Sequence, residues 1–286
     1  MAKTWVESIS AFHRAPVFKQ VAIVLTPYAF YTALVYLLDR FVIGEWLSIQ
    51  SNFHALLGTV LGLLLVFRTN TAYDRWWEGR KLWGQLVNDS RNLAIKIQSC
   101  VRAPEVERQL LGVKLISFAY ALKDHLRGNV RLNELPGFTN EIDQPQHVPA
   151  YVSRSLYEQF EKWRTQDQLD GFEMLFLDRH AAALMDICGA CERIRKTPIA
   201  ASYRWFMRQL VGIYLLTLPW ALVDDFQIWV IPSVTLIGYF MIGIELIAED
   251  IEEPFGTGAD DLKLDDLCQG IENSVSDILK RHRQET

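Results

Sequence analysis

HALLGTVLGLLLVFRTNTAYDRWWEGRKLWGQLVNDSRN, residues 54–92, decides the fold. It opens as an unbroken apolar run from Ala55 to Phe67 and turns polar and aromatic at Arg68 without a proline. Gly79 and Gly84 are its only later helix-weakening residues. The pattern predicts one long helix that starts in a membrane and leaves it on the basic side. Thr59, Leu63 and Phe67 recur at i, i+4 and i+8 and so form one stripe, which continues into Asn70 and Asp74. A small hydroxyl, an aliphatic and an aromatic leading to polar groups is the pattern of a hydrophobic constriction opening into a wet vestibule. A stripe facing lipid or a neighbouring helix has the same periodicity.

Composition sets the outer bounds. The chain has 286 residues, a formal net charge of −5, 50% hydrophobic residues and nine Trp. Its mean hydropathy of +0.06 is too polar for a protein lying wholly in lipid and suits a membrane part joined to a wet one. The acidic balance argues against nucleic acid as a partner. The amphipathic start, MAKTWVESISAFHRAPVFKQ, lacks the layout of a cleavable secretory signal. Trp5, Ile9 and Phe12 fall on one face of a short interfacial helix over residues 1–19.

The first membrane span is predicted from Val21 to Leu38, close to the ~20 residues needed. Its Pro27 is tolerable if neighbours satisfy the freed carbonyl. The second span, Phe53 to Phe67, is short, which is less surprising if it lines an aqueous path. Beyond it, Trp76, Trp77 and Trp83 beside Arg75, Arg80 and Lys81 read as a membrane-boundary anchor. Soluble-type amphipathic helices follow at 105–127, ending at Gly128, and at 151–164 and 168–195, the last broken by Thr197-Pro198.

Residues 202–223 return to the membrane, with Pro219 expected to kink or end the regular bonding, and a fourth span runs from Ile228 to Ile247. Glu245 near its end is a functional candidate by its depth, or an acid at the membrane edge beside Glu249 and Asp250. Lys and Arg gather before the first span, after the second and before the third, which predicts cytoplasmic termini and a cytoplasmic region 68–205. The predicted division is 1–67 (interfacial helix and spans one and two), 68–203 (helical cytoplasmic domain), 204–248 (spans three and four) and 249–286 (cytoplasmic C-terminal segment).

Few residues nominate bond chemistry. Cys188 and Cys191 have C-x-x-C spacing, but inside a predicted helix, where packing is the simpler role. Glu249, Asp250, Glu252, Glu253, Asp260 and Asp261 are oxygen donors of the kind a hard cation takes, without EF-hand spacing; a solvated acidic turn explains them as well. The six histidines are scattered singly. No nucleophile–base set, Gly-rich phosphate loop or H-E-x-x-H motif occurs, so neither an enzyme nor a cofactor is expected.

The run FRTNTAYDRWWEGRKLWGQLVNDSRN, followed far downstream by EDIEEPFG, resembles the bestrophin family, and its bacterial branch most closely. The layout of two short spans, a helical insert and two more spans matches over nearly the whole chain. The resemblance implies an all-α, four-span membrane protein assembled as a homopentameric ion channel in the bacterial inner membrane. By their position relative to the Arg75-Trp76-Trp77 block, Thr59, Leu63 and Phe67 look like the neck-lining set, with Thr59 departing from the apolar residue common there. A second, cytoplasmic constriction is implied, for which Leu175 and Leu177 are candidates. Asp260-Asp261 is all that remains of the acidic run that forms a calcium clasp in animal members. Asn70 and Asp74 in the vestibule and Asp224-Asp225 at the outer mouth point to cations over chloride. The alternative expectation is a membrane-anchored scaffold or sensor whose cytoplasmic helices bind a partner.

Overall fold

The computed structural model describes residues 16–43, 51–142 and 144–280, and these are helical almost throughout. The helices are α1 (Pro16–Leu38), α2 (Ser51–Cys100), α3 (Glu105–Arg127), α4 (Val148–Thr165), α5 (Gly171–Lys196), α6 (Ala201–Phe226), α7 (Val230–Glu252) and α8 (Leu264–Lys280). The interfacial helix expected near the N-terminus lies almost wholly outside the described residues. The chain divides into two compact units, one within Met1–Asp74 and Pro198–Glu252, the other within Arg75–Thr197 and Glu253–Thr286.

Helix α2 runs unbroken for 50 residues. Its buried positions explain why. His54, Leu61, Leu65, Arg68, Ala72, Gly79, Trp83, Leu86, Ser90, Leu93 and Ile97 succeed one another at steps of three, four or seven. That is a heptad-like seam, and it persists where the surface changes from apolar to charged. Beyond Arg68, which itself lies in the seam, the exposed face turns polar while the buried face keeps its period.

In the first unit, α1 packs on α6 and α7, and α6 on α7. Leu61 and Leu65 share an apolar core with Met207, Val211, Leu215 and Leu218 of α6 and with Val230 and Val234 of α7. Gly58 lets the Tyr214 ring approach, since a Cβ there would lie 2.6 Å from the tyrosine hydroxyl. Pro219 does not end α6, which continues to Phe226. A proline at 219 leaves the carbonyl of residue 215 without its helical donor. The Tyr28 hydroxyl fills that vacancy, donating to the Leu215 oxygen at 2.8 Å. Tyr31 donates to the Leu216 oxygen at 2.7 Å and accepts from the Trp220 indole at 2.9 Å.

In the second unit, α3 packs on α4, α5 and α8, and α4 on α5. The end of α3 falls at Gly128, whose φ of 84° suits a glycine. There Asn129 N–H donates to the Asp124 oxygen at 3.0 Å and Gly128 N–H to the His125 oxygen at 3.1 Å, a Schellman closure. A capping box starts α5: Asp170 accepts from the Phe172 and Glu173 amides while the Glu173 carboxylate accepts from the Asp170 amide. Cys188 and Cys191 are free and fully buried on α5, and burial pushes the Cys188 thiol up to about 12.

Candidate pore-lining helix

The expected neck residues share the face of α2 that its own chain leaves uncovered. Leu63 is 56% exposed and Phe67 55% exposed, and Thr59, Asn70 and Asp74 are exposed as well. Leu63 follows the buried Leu61 by two residues, about 200° around the helix, so the stripe lies opposite the seam. The Thr59 hydroxyl donates to the Ala55 oxygen at 2.9 Å. Its one donor is spent on its own helix, which reduces the polarity it shows outward.

Where the apolar half of α2 ends, Arg68 is buried, 1% exposed, instead of reaching out as a boundary charge. Its Nη2 donates to Glu252 Oε2 at 2.7 Å, and its Nε lies 3.9 Å from Glu245 Oε2. The other Glu252 oxygen accepts from the Ile199 amide at 2.8 Å, tying the start of α6 to the same cluster. Arg208 pairs with Glu249 and comes within 3.9 Å of Glu245. Glu245, singled out by its depth, thus sits 6% exposed between two arginines. Burial in isolation would be costly for Arg68, Glu245 or Glu252; the close Arg68–Glu252 pair offsets that cost for two of them, within a cluster of two arginines and three carboxylates.

The Arg-Trp-Trp block makes contacts inside the second unit, while Trp77, Arg80 and Lys81 of the expected membrane-boundary anchor are exposed. Arg75 donates to the Ile194 and Thr197 oxygens, each at 2.6 Å, and so caps the C-terminal end of α5. The Trp76 indole donates to the Asp260 backbone oxygen at 3.0 Å. Trp83 is wholly buried in the core of this unit. Gly79 gives Pro254 and Phe255 room: a Cβ there would meet Phe255 Cε1 at 3.1 Å and Pro254 Cγ at 3.3 Å. The two sequence blocks that carry the resemblance are therefore packed on each other. The Asp261 carboxylate turns back into the same loop, accepting from the Gly258 amide at 2.5 Å. It closes a glycine turn.

The two candidates for a second constriction part ways. Leu175 is 65% exposed on α5, whereas Leu177 is fully buried in its own unit's core and has no surface to offer a pore. Phe172 and Phe176 share the exposed face of Leu175, and sequence reasoning passed over both. Asp224 and Asp225 are exposed at the end of α6.

Three stretches, Lys19–Val42, Ser51–Cys100 and Ala201–Glu252, are long and apolar enough to cross a membrane; the last contains α6 and α7, joined by the turn Gln227–Trp229. A chain so built, with a second helical unit carrying its own core, is by class a polytopic helical membrane protein. It belongs to the bestrophin family: the family described as Bacterial/Fungal Bestrophin protein matches residues 2–277. A voltage-dependent anion channel-forming protein of Synechocystis is 37% identical over 235 residues, covering 77% of this chain and 75% of that protein. The voltage-dependent anion channel-forming protein YneE of Escherichia coli K12 is 28% identical over 275 residues, covering 94% of this chain and 89% of that protein. The bacterial bestrophin homolog from Klebsiella pneumoniae shares the fold with a TM-score of 0.84 at 23% identity, over 91% of this chain and 98% of that one. The family is one of ion channels, not of enzymes. The relatives' names speak of anions, so the expectation of a cation preference draws no support from them.

Proposed function

We propose that five copies of this chain surround one axis, with Thr59, Leu63 and Phe67 of each α2 lining a narrow apolar neck. The observation that carries this reading is the bare stripe opposite the buried seam. An apolar row that its own chain leaves uncovered needs lipid, a neighbour or a pore, and Asn70 and Asp74 continue it into polar surface suited to water. Ions would pass the rings of Leu63 and Phe67 by wetting of the constriction, with no bond chemistry. Helices α1, α2, α6 and α7 would provide four spans in the inner membrane, with both termini and the second unit cytoplasmic, from the distribution of Lys and Arg. Leu175, flanked by Phe172 and Phe176, is the remaining candidate for a second apolar ring.

Two readings of the ion's sign stand on different observations. The names of the relatives favour anions. The carboxylates of Asp74, Asp224 and Asp225, all exposed, favour cations. Reversal potentials of the purified chain in asymmetric salt separate them by sign. Flux into liposomes tests the channel itself; a membrane-anchored scaffold would pass no ions.

A further inference from the structure

Outside the candidate pore, the second unit gathers three side chains that the sequence keeps far apart. His125 lies in the last turn of α3, His147 is the N-cap of α4, and Glu192 lies near the end of α5. His125 Nε2 and His147 Nε2 each lie 2.7 Å from the same oxygen, Oε1 of Glu192, and the two ring centroids are 4.8 Å apart. The ligand atoms of all three lie within 4.8 Å of one another. We propose that His125, His147 and Glu192 form a binding site for a divalent transition metal ion, zinc being the best match, which clasps α3, α4 and α5 together.

The donor set fits that ion. Two imidazoles and one carboxylate are borderline and hard ligands of the type zinc takes, and they leave a fourth position for water. Bonds of about 2.0–2.1 Å in a tetrahedron separate donors by about 3.3 Å. The 2.7 Å contacts must open and the widest separation must close, an adjustment of about an ångström or two in side-chain position. The side chains remain reachable: His147 is 37% exposed, His125 19% and Glu192 17%. Calcium and magnesium, which take oxygen ligands, do not suit the imidazoles.

Two contacts oppose the ion and set its terms. Lys196 Nζ donates to Glu192 Oε2 at 2.6 Å, a cation already in place, but on the oxygen that the histidines do not use. His147 Nδ1 accepts from the Ala150 amide at 3.1 Å, so in the neutral ring the proton sits on Nε2. Metal binding at Nε2 moves that proton to Nδ1 and gives up this helix cap. Losing a cap weakens binding by roughly five- to tenfold, far less than the metal–ligand bonds supply. The site is thus suited to reversible, not permanent, occupancy.

The test is isothermal titration of zinc chloride into the untagged, EDTA-stripped full chain in detergent, with cobalt absorption to report imidazole ligation. Glu192→Gln and His147→Asn are the variants; asparagine keeps a good N-cap while removing the imidazole. One ion per chain is expected for the wild type, weakened at least tenfold in both variants, with thermal unfolding raised by zinc only in the wild type. Magnesium is expected to have no effect. Failure of the wild type to bind zinc, or equal binding by both variants, would overturn the proposal: the three side chains would then form only a hydrogen-bonded cluster.

Discussion

The Tyr28 hydroxyl donates at 2.8 Å to the Leu215 carbonyl, the acceptor that Pro219 strips of its helical donor. One helix thus repairs the bonding of another across an apolar interior, where an unpaired carbonyl is expensive. This contact satisfies the carbonyl that the proline inside α6 frees.

Replacing Tyr28 with Phe removes the donor and keeps the ring. The Leu215 carbonyl is then left unsatisfied, at a cost of about 1–3 kcal/mol. Thermal unfolding of the variant in detergent would show the loss. The double variant Tyr28→Phe/Pro219→Ala should recover most of it, because the residue at 219 again donates its own amide.

Arg68 gives a larger effect. Arg68→Met takes the guanidinium away from the buried Glu252 carboxylate, and breaking such a pair from one side costs about 3–5 kcal/mol. A double-mutant cycle with Glu252→Gln measures the coupling. Additive losses would show that the 2.7 Å contact carries little of the energy.

Gly79→Ala should destabilise despite alanine's better helix propensity. The new methyl group meets Phe255 and Pro254 at 3.1–3.3 Å. Overpacking of this kind costs about 1–3 kcal/mol. Gly189→Ala, on an exposed part of α5 with nothing within 4 Å, is the control and should gain about 0.5–1 kcal/mol. Denaturant unfolding of both variants checks the opposite signs.

Asp265 sets a pH dependence. The hydrogen bond from Lys123, joined by that from Arg127, holds its carboxyl below the ordinary value of 3.8. The folded value is depressed, so the stabilisation is present above about pH 4 and is lost as pH falls through the folded value. The stability difference between wild type and Asp265→Asn should therefore be constant near neutrality and vanish in acid. Unfolding midpoints of the pair from about pH 7 down to about pH 3 measure it.

Local signals were legible where one residue decides. Gly128 marks the end of α3, Thr197-Pro198 the end of α5, and the lack of a proline beyond Arg68 the continuity of α2. What the sequence hid were partners brought together only by folding. Arg68 reads as a boundary charge until Glu245 and Glu252 are placed around it. Trp83 reads as an anchor until its burial is seen. Leu175 and Leu177 are indistinguishable in sequence, yet two residues along a helix turn one into solvent and the other into the core. His125 and His147 look solitary because the fold, not spacing, makes them neighbours.

Whether the bare stripe of α2 faces an ion path is tested most directly by bilayer recordings of Leu63→Cys, with a charged, membrane-impermeant thiol reagent added during the trace. Three of the four native cysteines are buried, and Cys100 is covered by running the wild type in parallel. The account predicts a rapid fall in current in the variant alone, together with a larger conductance when Leu63 or Phe67 is replaced by Ala. Current that stays constant while the introduced thiol is labelled only by a lipid-soluble reagent would place the stripe against lipid and contradict it.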